Sequence, residues 1–279
     1  MVKKSMFQAA HRIFAFLALT LFATYGACNT LTLGIVPQQS AKKLAETWQP
    51  LINYISEHAN IDVVFKTAKD IPTFEQRLAE GEYDIAYMNP YHFVVFHDSV
   101  GYRALARQID KRIKGIIVVD ANSDIVSLDD LNGKEIAFPS PAAFAATIIP
   151  SAYLKQQGIL FTPRYVHSHD SVYFKVQRGF FNAGGGIIRT FNGVDDNTRS
   201  ALRILWESDG YTPHAIATHP RVTDTQRDAL LTALLTLSED EDNKQLLKNV
   251  GFKGFISSVG EDWDDVRALG ITSLARPQL

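Results

Sequence analysis

The spacing of apolar positions changes several times along the chain. Leu31-Thr-Leu-Gly-Ile-Val36 is a short apolar run stopped by Pro37, which predicts a strand. Apolar residues then recur at Leu44, Trp48, Leu51, Ile52 and Ile55. Their spacings of three and four predict a helix with one buried face. A strand over 61–65, a short helix over 74–79 closed by Gly81, and a strand over 83–87 follow. The first hundred residues thus read βαβαβ, the pattern of a parallel sheet covered by helices.

The alternation resumes further on. Residues 102–108 and 115–120 read as strands, and Ile116-Ile-Val-Val119 is unbroken, as a strand buried on both faces should be. Ser127-Leu-Asp-Asp130 is a capping-box pattern, and Asn132-Gly133 turns into a strand over 135–138. A helix over 142–157 ends at Gly158. A strand over 164–167, a helix over 171–178 and strands over 183–188 and 202–207 complete a second α/β unit. A short strand over 214–218 precedes helices over 223–237 and 242–250. No Ser/Pro-rich linker separates the units, so ordered segments, 114–121 and 208–218, are expected to cross between them. The expected organisation is a first lobe of 29–116 and 214–279 and a second of 117–213. Each lobe is expected to hold a mostly parallel sheet with helices on both faces.

Composition narrows the function more than the fold. The chain has 279 residues, 46% hydrophobic and 21% charged, with a net charge of −2. That balance is ordinary for globular domains with real cores. No long basic run follows the first residues, which argues against nucleic acid as a partner. Lys3, Lys4, His11 and Arg12 precede a short apolar stretch over 13–27, too short to span a bilayer comfortably. This predicts a signal peptide over 1–28 and a periplasmic protein. The single cysteine, Cys28, follows Gly26-Ala27 as in a lipobox, although Tyr25 stands where an aliphatic residue is usual. Lipidation of Cys28 with membrane anchoring, and simple cleavage beside it, are both open. Either way no disulfide forms within the chain.

Catalytic patterns are missing from the sequence. There is no Cys pair, no His-x-x-x-His, no nucleophile elbow and no phosphate-cradling P-loop. The expectation is a protein that is not an enzyme and holds no metal or cofactor. The strand ends carry more information, because ligands of open α/β sheets sit beyond the carboxyl ends of strands. Those ends offer Gln38, Tyr87, Asn89, Tyr91, Ser140, Phe144, His169, Arg189, Tyr211 and His214. Aromatic walls with a few polar groups suit a small-molecule cleft. Tyr87 and Tyr91 equally suit packing at a sheet edge. Ser140 is placed to cap the helix near Ala142, whose free amides would favour an anion. Arg189 is placed either to grip a carboxylate or phosphate in two-pronged fashion or to make a surface ion pair.

Several segments together resemble the phosphate/phosphite/phosphonate substrate-binding proteins of ABC transporters. They are Leu33-Gly-Ile-Val-Pro37, Trp48-Gln-Pro-Leu51, Tyr83-Asp-Ile-Ala-Tyr87 with Asn89-Pro90, and Ser127-Leu-Asp-Asp-Leu-Asn-Gly-Lys134. Ser168-His-Asp170 and Ile204-Leu-Trp-Glu-Ser208 complete the set. The resemblance spans the chain after its leader and implies the two-lobed type 2 periplasmic-binding fold. It implies a solute-binding role with an ABC permease as partner, and His169 matches the family's ligand-contacting histidine. Two departures stand out. The hydroxyl-rich turn that usually holds phosphonate oxygens reads Ala142-Ala-Phe-Ala-Ala-Thr147 here. The acid that amine-holding members place on the return segment is replaced near His214. These changes point to a small, partly apolar, anionic organic or organophosphorus ligand. A sensory protein docking on a membrane histidine kinase or diguanylate cyclase is the alternative expectation.

Overall fold

The computed structural model describes residues 30–240 and 243–271. The expected signal peptide and Cys28 lie outside the described residues. In the first lobe β1 (Thr30–Ile35), α1 (Ala41–Ala59), β2 (Asp62–Lys66), α2 (Ile71–Ala79) and β3 (Ile85–Met88) alternate as the sequence pattern predicts. Ser40 caps α1 through Lys43 N, and Asp70 caps α2 through Thr73 N. The buried face of α1 is Leu44, Trp48, Leu51, Ile52 and Ile55, the stripe read from the sequence. An unexpected helix, α3 (Pro90–Val100), follows β3, and β4 (Arg103–Gln108) ends the first pass through this lobe.

The chain then enters the second lobe with β5 (Gly115–Asp120), β6 (Glu135–Phe138) and a π-helical turn at Phe144–Ile148 that leads into α4 (Ile149–Gln156). Next come β7 (Thr162–Tyr165), α5 (His169–Gln177), β8 (Ala183–Ile187), α6 (Ile188–Asn192), α7 (Asp196–Ser200) and β9 (Leu202–Glu207). The chain returns to the first lobe for β10 (Ala215–Thr218), α8 (Asp224–Glu239), α9 (Lys244–Val250), β11 (Phe255–Ser257) and α10 (Asp264–Arg267).

The strand orders are β2-β1-β3-β10-β4-β11 and β7-β6-β8-β5-β9. Each lobe therefore sets its second, first and third strands side by side, then a strand brought by a crossing, then a fourth. The sheets are mostly parallel, as expected, with a strand from the other lobe inserted antiparallel in each. β1 and β3 run parallel, as do β6, β7 and β8, but β10 is antiparallel to β3 and β4, and β5 to β8 and β9. The reason is the route of the chain. A strand arriving from the other lobe enters its sheet from the opposite end. The outgoing crossing runs through 109–114, ahead of the expected 114–121, because the unbroken apolar run is already interior to the second sheet. Ile116 and Val118 face one helix layer with Val172 and Tyr173, while Ile117 and Val119 face the other with Leu154 and Phe138. The two crossings touch at Ile113 and Tyr211, whose backbone N–H groups each donate to the other's carbonyl, at 2.8 and 2.9 Å.

Gly115 and Gly185 let the π turn lie against the second sheet. A Cβ on Gly185 would stand 2.0 Å from the Ala146 carbonyl oxygen, and one on Gly115 would stand 2.1 Å from that of Ala145. Backbone cannot yield as a side-chain tip can. Gly185→Ala is therefore expected to lower the unfolding free energy by about 3 kcal/mol, read from urea denaturation. A loss under about 1 kcal/mol would mean that the turn is free to lift away.

Candidate functional site

The site is assembled from the carboxyl ends of β1, β3 and β8, the start of α5, and the segment before β10. A gap between the lobes contains two spaces, which share Ile113, Ile187 and His214 in their linings. Gln38, Asn89, Phe144 and His169 line the first, and Tyr87, Arg189 and Pro213 line the second.

Gln38 is the hub. Its side-chain oxygen accepts a hydrogen bond from Arg189 Nη2, across the two lobes. Its Nε2 lies 3.0 Å from His214 Nε2, and its carbonyl accepts from the His169 N–H at 3.2 Å. An amide N–H facing His214 makes that imidazole nitrogen the acceptor, so the proton sits on Nδ1. Burial, then the neighbouring Arg189, His92 and His169, hold His214 well below the ordinary imidazole range. His214 is therefore a neutral ring. It stacks on Tyr87 at 4.9 Å and 15°, and Tyr87 leans on Trp48 at 4.7 Å.

His169 opens α5 behind the cap Ser168 and is 2% exposed. Burial, reinforced by Arg189, lowers its pKa to about 3. Its Nδ1 lies 3.1 Å from the Thr190 hydroxyl, which in turn lies 2.9 Å from the Tyr173 hydroxyl. Tyr173 also accepts from Ile187 N at 3.1 Å, so strand end, helix start and ring are fixed together. Asn89 caps α3 by accepting from His92 N at 2.7 Å, and its Nδ2 donates to the Ala142 carbonyl at 3.3 Å across the gap. Lys43 Nζ donates to the Gly193 carbonyl at the gap's edge.

Charge in the gap has one sign. Arg112 and Lys114 at the mouth are paired with Asp265 and Glu207, each at 2.7 Å. Arg189 has no ion pair among the described residues. A half-buried guanidinium between lobes, with two neutral imidazoles beside it, has the chemistry to receive an anion. Among the described residues no His/Cys/Asp/Glu group is set to hold a metal, and no helix is long and apolar enough to cross a membrane.

Seven of the ten sequence candidates thus meet around the gap: Gln38, Tyr87, Asn89, Phe144, His169, Arg189 and His214. Three do not. Tyr91 is pulled into the first lobe's core, because α3 starts at Pro90 and turns its second residue inward. Its hydroxyl donates to the Ile271 carbonyl at 3.1 Å. Ser140 caps no helix. Ala143 holds the N-cap position, and Ser140 takes the Thr147 hydroxyl on its carbonyl at 2.7 Å. Its own hydroxyl is buried without a hydrogen-bond partner among the described residues. Tyr211 meets Phe144 edge-on at 5.5 Å but lines a separate groove with Tyr153 and Trp206. Sequence reasoning missed Ile113, Gln108 and Lys111. The basic run over 111–114 beside the outgoing crossing was the available signal.

Comparison with known proteins agrees with this architecture. Residues 33–263 match the sequence model of the family described as "ABC transporter, phosphonate, periplasmic substrate-binding protein". A phosphate-import protein PhnD of Mycolicibacterium smegmatis is 22% identical over 261 residues, covering 81% of this chain and 76% of its own. Among solved structures, PhnD1 of Prochlorococcus marinus in complex with methylphosphonate superposes with a TM-score of 0.79 at 19% identity. That match covers 87% of this chain and 97% of the other. A binding protein component of an ABC phosphonate transporter from Pseudomonas aeruginosa gives 0.80 at 15% identity, over 86% and 85%. At these identities the structures speak for the fold, and the family match speaks for membership. The chain belongs to the periplasmic substrate-binding proteins of phosphonate ABC transporters.

Proposed function

We propose that this protein captures a small organophosphorus anion between its lobes and presents it to an ABC permease. The observation that carries the reading is Arg189, a cation in the inter-lobe gap with no carboxylate partner among the described residues. Its fork is held by the Gln38 amide oxygen, a neutral acceptor that an anion displaces with advantage. Gln38, His214, Asn89 and His169 then contact the ligand from both sides, and Phe144 with Tyr87 wall off its organic part. Closure is a rotation about the Ile113–Tyr211 pair. The Prochlorococcus relative that carries methylphosphonate and the Mycolicibacterium relative named for phosphate import support a phosphorus oxyanion as the head group. The binding role needs no chemical step, and this reading gives none of the gap residues a catalytic one. The protein acts outside the cytoplasm, released by cleavage near Cys28 or held to the membrane through a lipid on it.

Calorimetric titration of the mature protein with methylphosphonate tests the reading. Saturable one-to-one binding is expected, with protection against heat that grows with ligand concentration. No binding of methylphosphonate or phosphate at millimolar concentration would overturn it.

A further inference from the structure

The lining of the gap is acid-free. Among the described residues that face its two spaces are four cations, Lys111, Arg112, Lys114 and Arg189, and no aspartate or glutamate. Three carboxylates lie near these spaces without lining them: Asp265 and Glu207 are committed to Arg112 and Lys114, and Asp170, behind His169, faces Gln39, Ser40 and Lys43. The remaining polar groups are amides and neutral imidazoles, and both imidazole residues are tied to Gln38. The rest of the surface is aromatic or aliphatic: Tyr87, Phe144, Ile113 and Ile187.

A ligand amine would fare badly there. A primary ammonium brings one positive charge and three donors, and it loses its hydration when the lobes close. It would find no carboxylate and would sit in the field of Arg189. A buried cation without a partner is penalised, and a second cation nearby adds to the penalty. An acidic tail meets the opposite situation. Lys111 lies exposed at the mouth with no ion pair among the described residues, and it lines the same space as Arg189.

We infer that the site takes alkyl- and carboxyalkyl-phosphonates and rejects aminoalkyl-phosphonates, because its lining has cations and no carboxylate. This rests on the organophosphorus reading above and fixes the class of tail that accompanies the head group. The tail is read by what is missing from the wall as much as by what is present, a form of selection by unfavourable alternatives.

The test is calorimetric titration at pH 7.5 and low salt with four ligands: methylphosphonate, ethylphosphonate, phosphonoacetate and 2-aminoethylphosphonate. Ethylphosphonate and phosphonoacetate are expected to bind at least thirtyfold more tightly than 2-aminoethylphosphonate. Equal or tighter binding of 2-aminoethylphosphonate, with methylphosphonate also bound, overturns this inference and leaves the proposed function intact. Failure of all four ligands overturns both. A second measurement guards the electrostatic cause. Gln108 is buried in the lining, and Gln108→Glu changes charge with little change of shape. In that variant, checked for parental circular dichroism, the discrimination is expected to shrink at least tenfold, and an unchanged ratio overturns the inference.

Discussion

Replacing Arg189 with alanine is expected to weaken methylphosphonate binding by at least a hundredfold while leaving the ligand-free protein nearly as stable as its parent. The two effects separate because the guanidinium does different things in the two states. With an anion bound it makes charge-assisted hydrogen bonds, worth about 1.5–3 kcal/mol each, and a two-pronged grip doubles them. Each 1.4 kcal/mol is about tenfold in affinity. Without ligand its partner is the Gln38 amide, a neutral acceptor whose loss costs about 1 kcal/mol. Arg189→Lys keeps the charge and loses the planar fork, and is expected to fall between, near a tenfold loss. Calorimetry with thermal unfolding on the same samples reads both quantities. Parental affinity in the alanine variant would place the anion elsewhere in the molecule.

The second large effect is on stability against acid. Lowering the pH from 7.5 to 5 is expected to cost about 2 kcal/mol through His169 alone, with His214 adding in the same direction. His169 is neutral in the folded protein, with its pKa held at about 3 against an ordinary 6.5. Once unfolded it takes a proton below about pH 6.5. The unfolded chain therefore binds more protons throughout the window from 6.5 down to 3, and stability falls as the pH drops through it. His219, pushed down by its own partial burial and by Arg221, contributes in the same sense. The span from pH 6.5 to 5 isolates these imidazoles, because carboxylates titrate lower. Urea denaturation at closely spaced pH values reads the slope directly. In His169→Gln the slope over that span should drop by the share of one imidazole. A flat profile in the parent would mean that water reaches both rings.

The sequence conveyed the strands well, and the reason lies in particular runs. Leu31–Val36 and Ile116–Val119 are too short and too evenly apolar to be anything but interior strands between turn signals. Helix α3 escaped notice because Phe93, Val94, Val95 and Phe96 put apolar residues around its whole circumference, leaving no stripe to read. Its start signals, Asn89 as cap and Pro90 behind it, stand in the sequence but read equally as a ligand loop at a strand end. That one misreading also misplaced Tyr91. The direction of β5 and β10 was out of reach for a different reason. Strand polarity in a sheet depends on where the chain comes from, and local periodicity carries no record of that. The helix expected from residue 142 begins instead with a π turn, and its side-chain cap never forms. Close approach of Ala145 and Ala146 to glycine backbone decides the winding, and this is a tertiary event. The site itself was half visible. Strand-end logic gathered Gln38, Tyr87, His169 and Arg189 into one region. It could not pair Gln38 with Arg189, which stand 151 positions apart and meet across the two lobes.

The strands delivered by the crossings also govern the order in which the molecule can be completed. The second lobe is a single stretch, β5 to β9, and has all its strands once residue 207 has been made. The first lobe does not. Its central strand, β10, separates β3 from β4, so within residues 30–108 β4 has no sheet neighbour until Ala215–Thr218 arrives to join it to β2-β1-β3. Sequence-distant pairing of this kind is slow to form. The leading third of the chain therefore stays without a finished core through most of synthesis, in the loose form that a protein bound for export has to keep until it has left the cytoplasm.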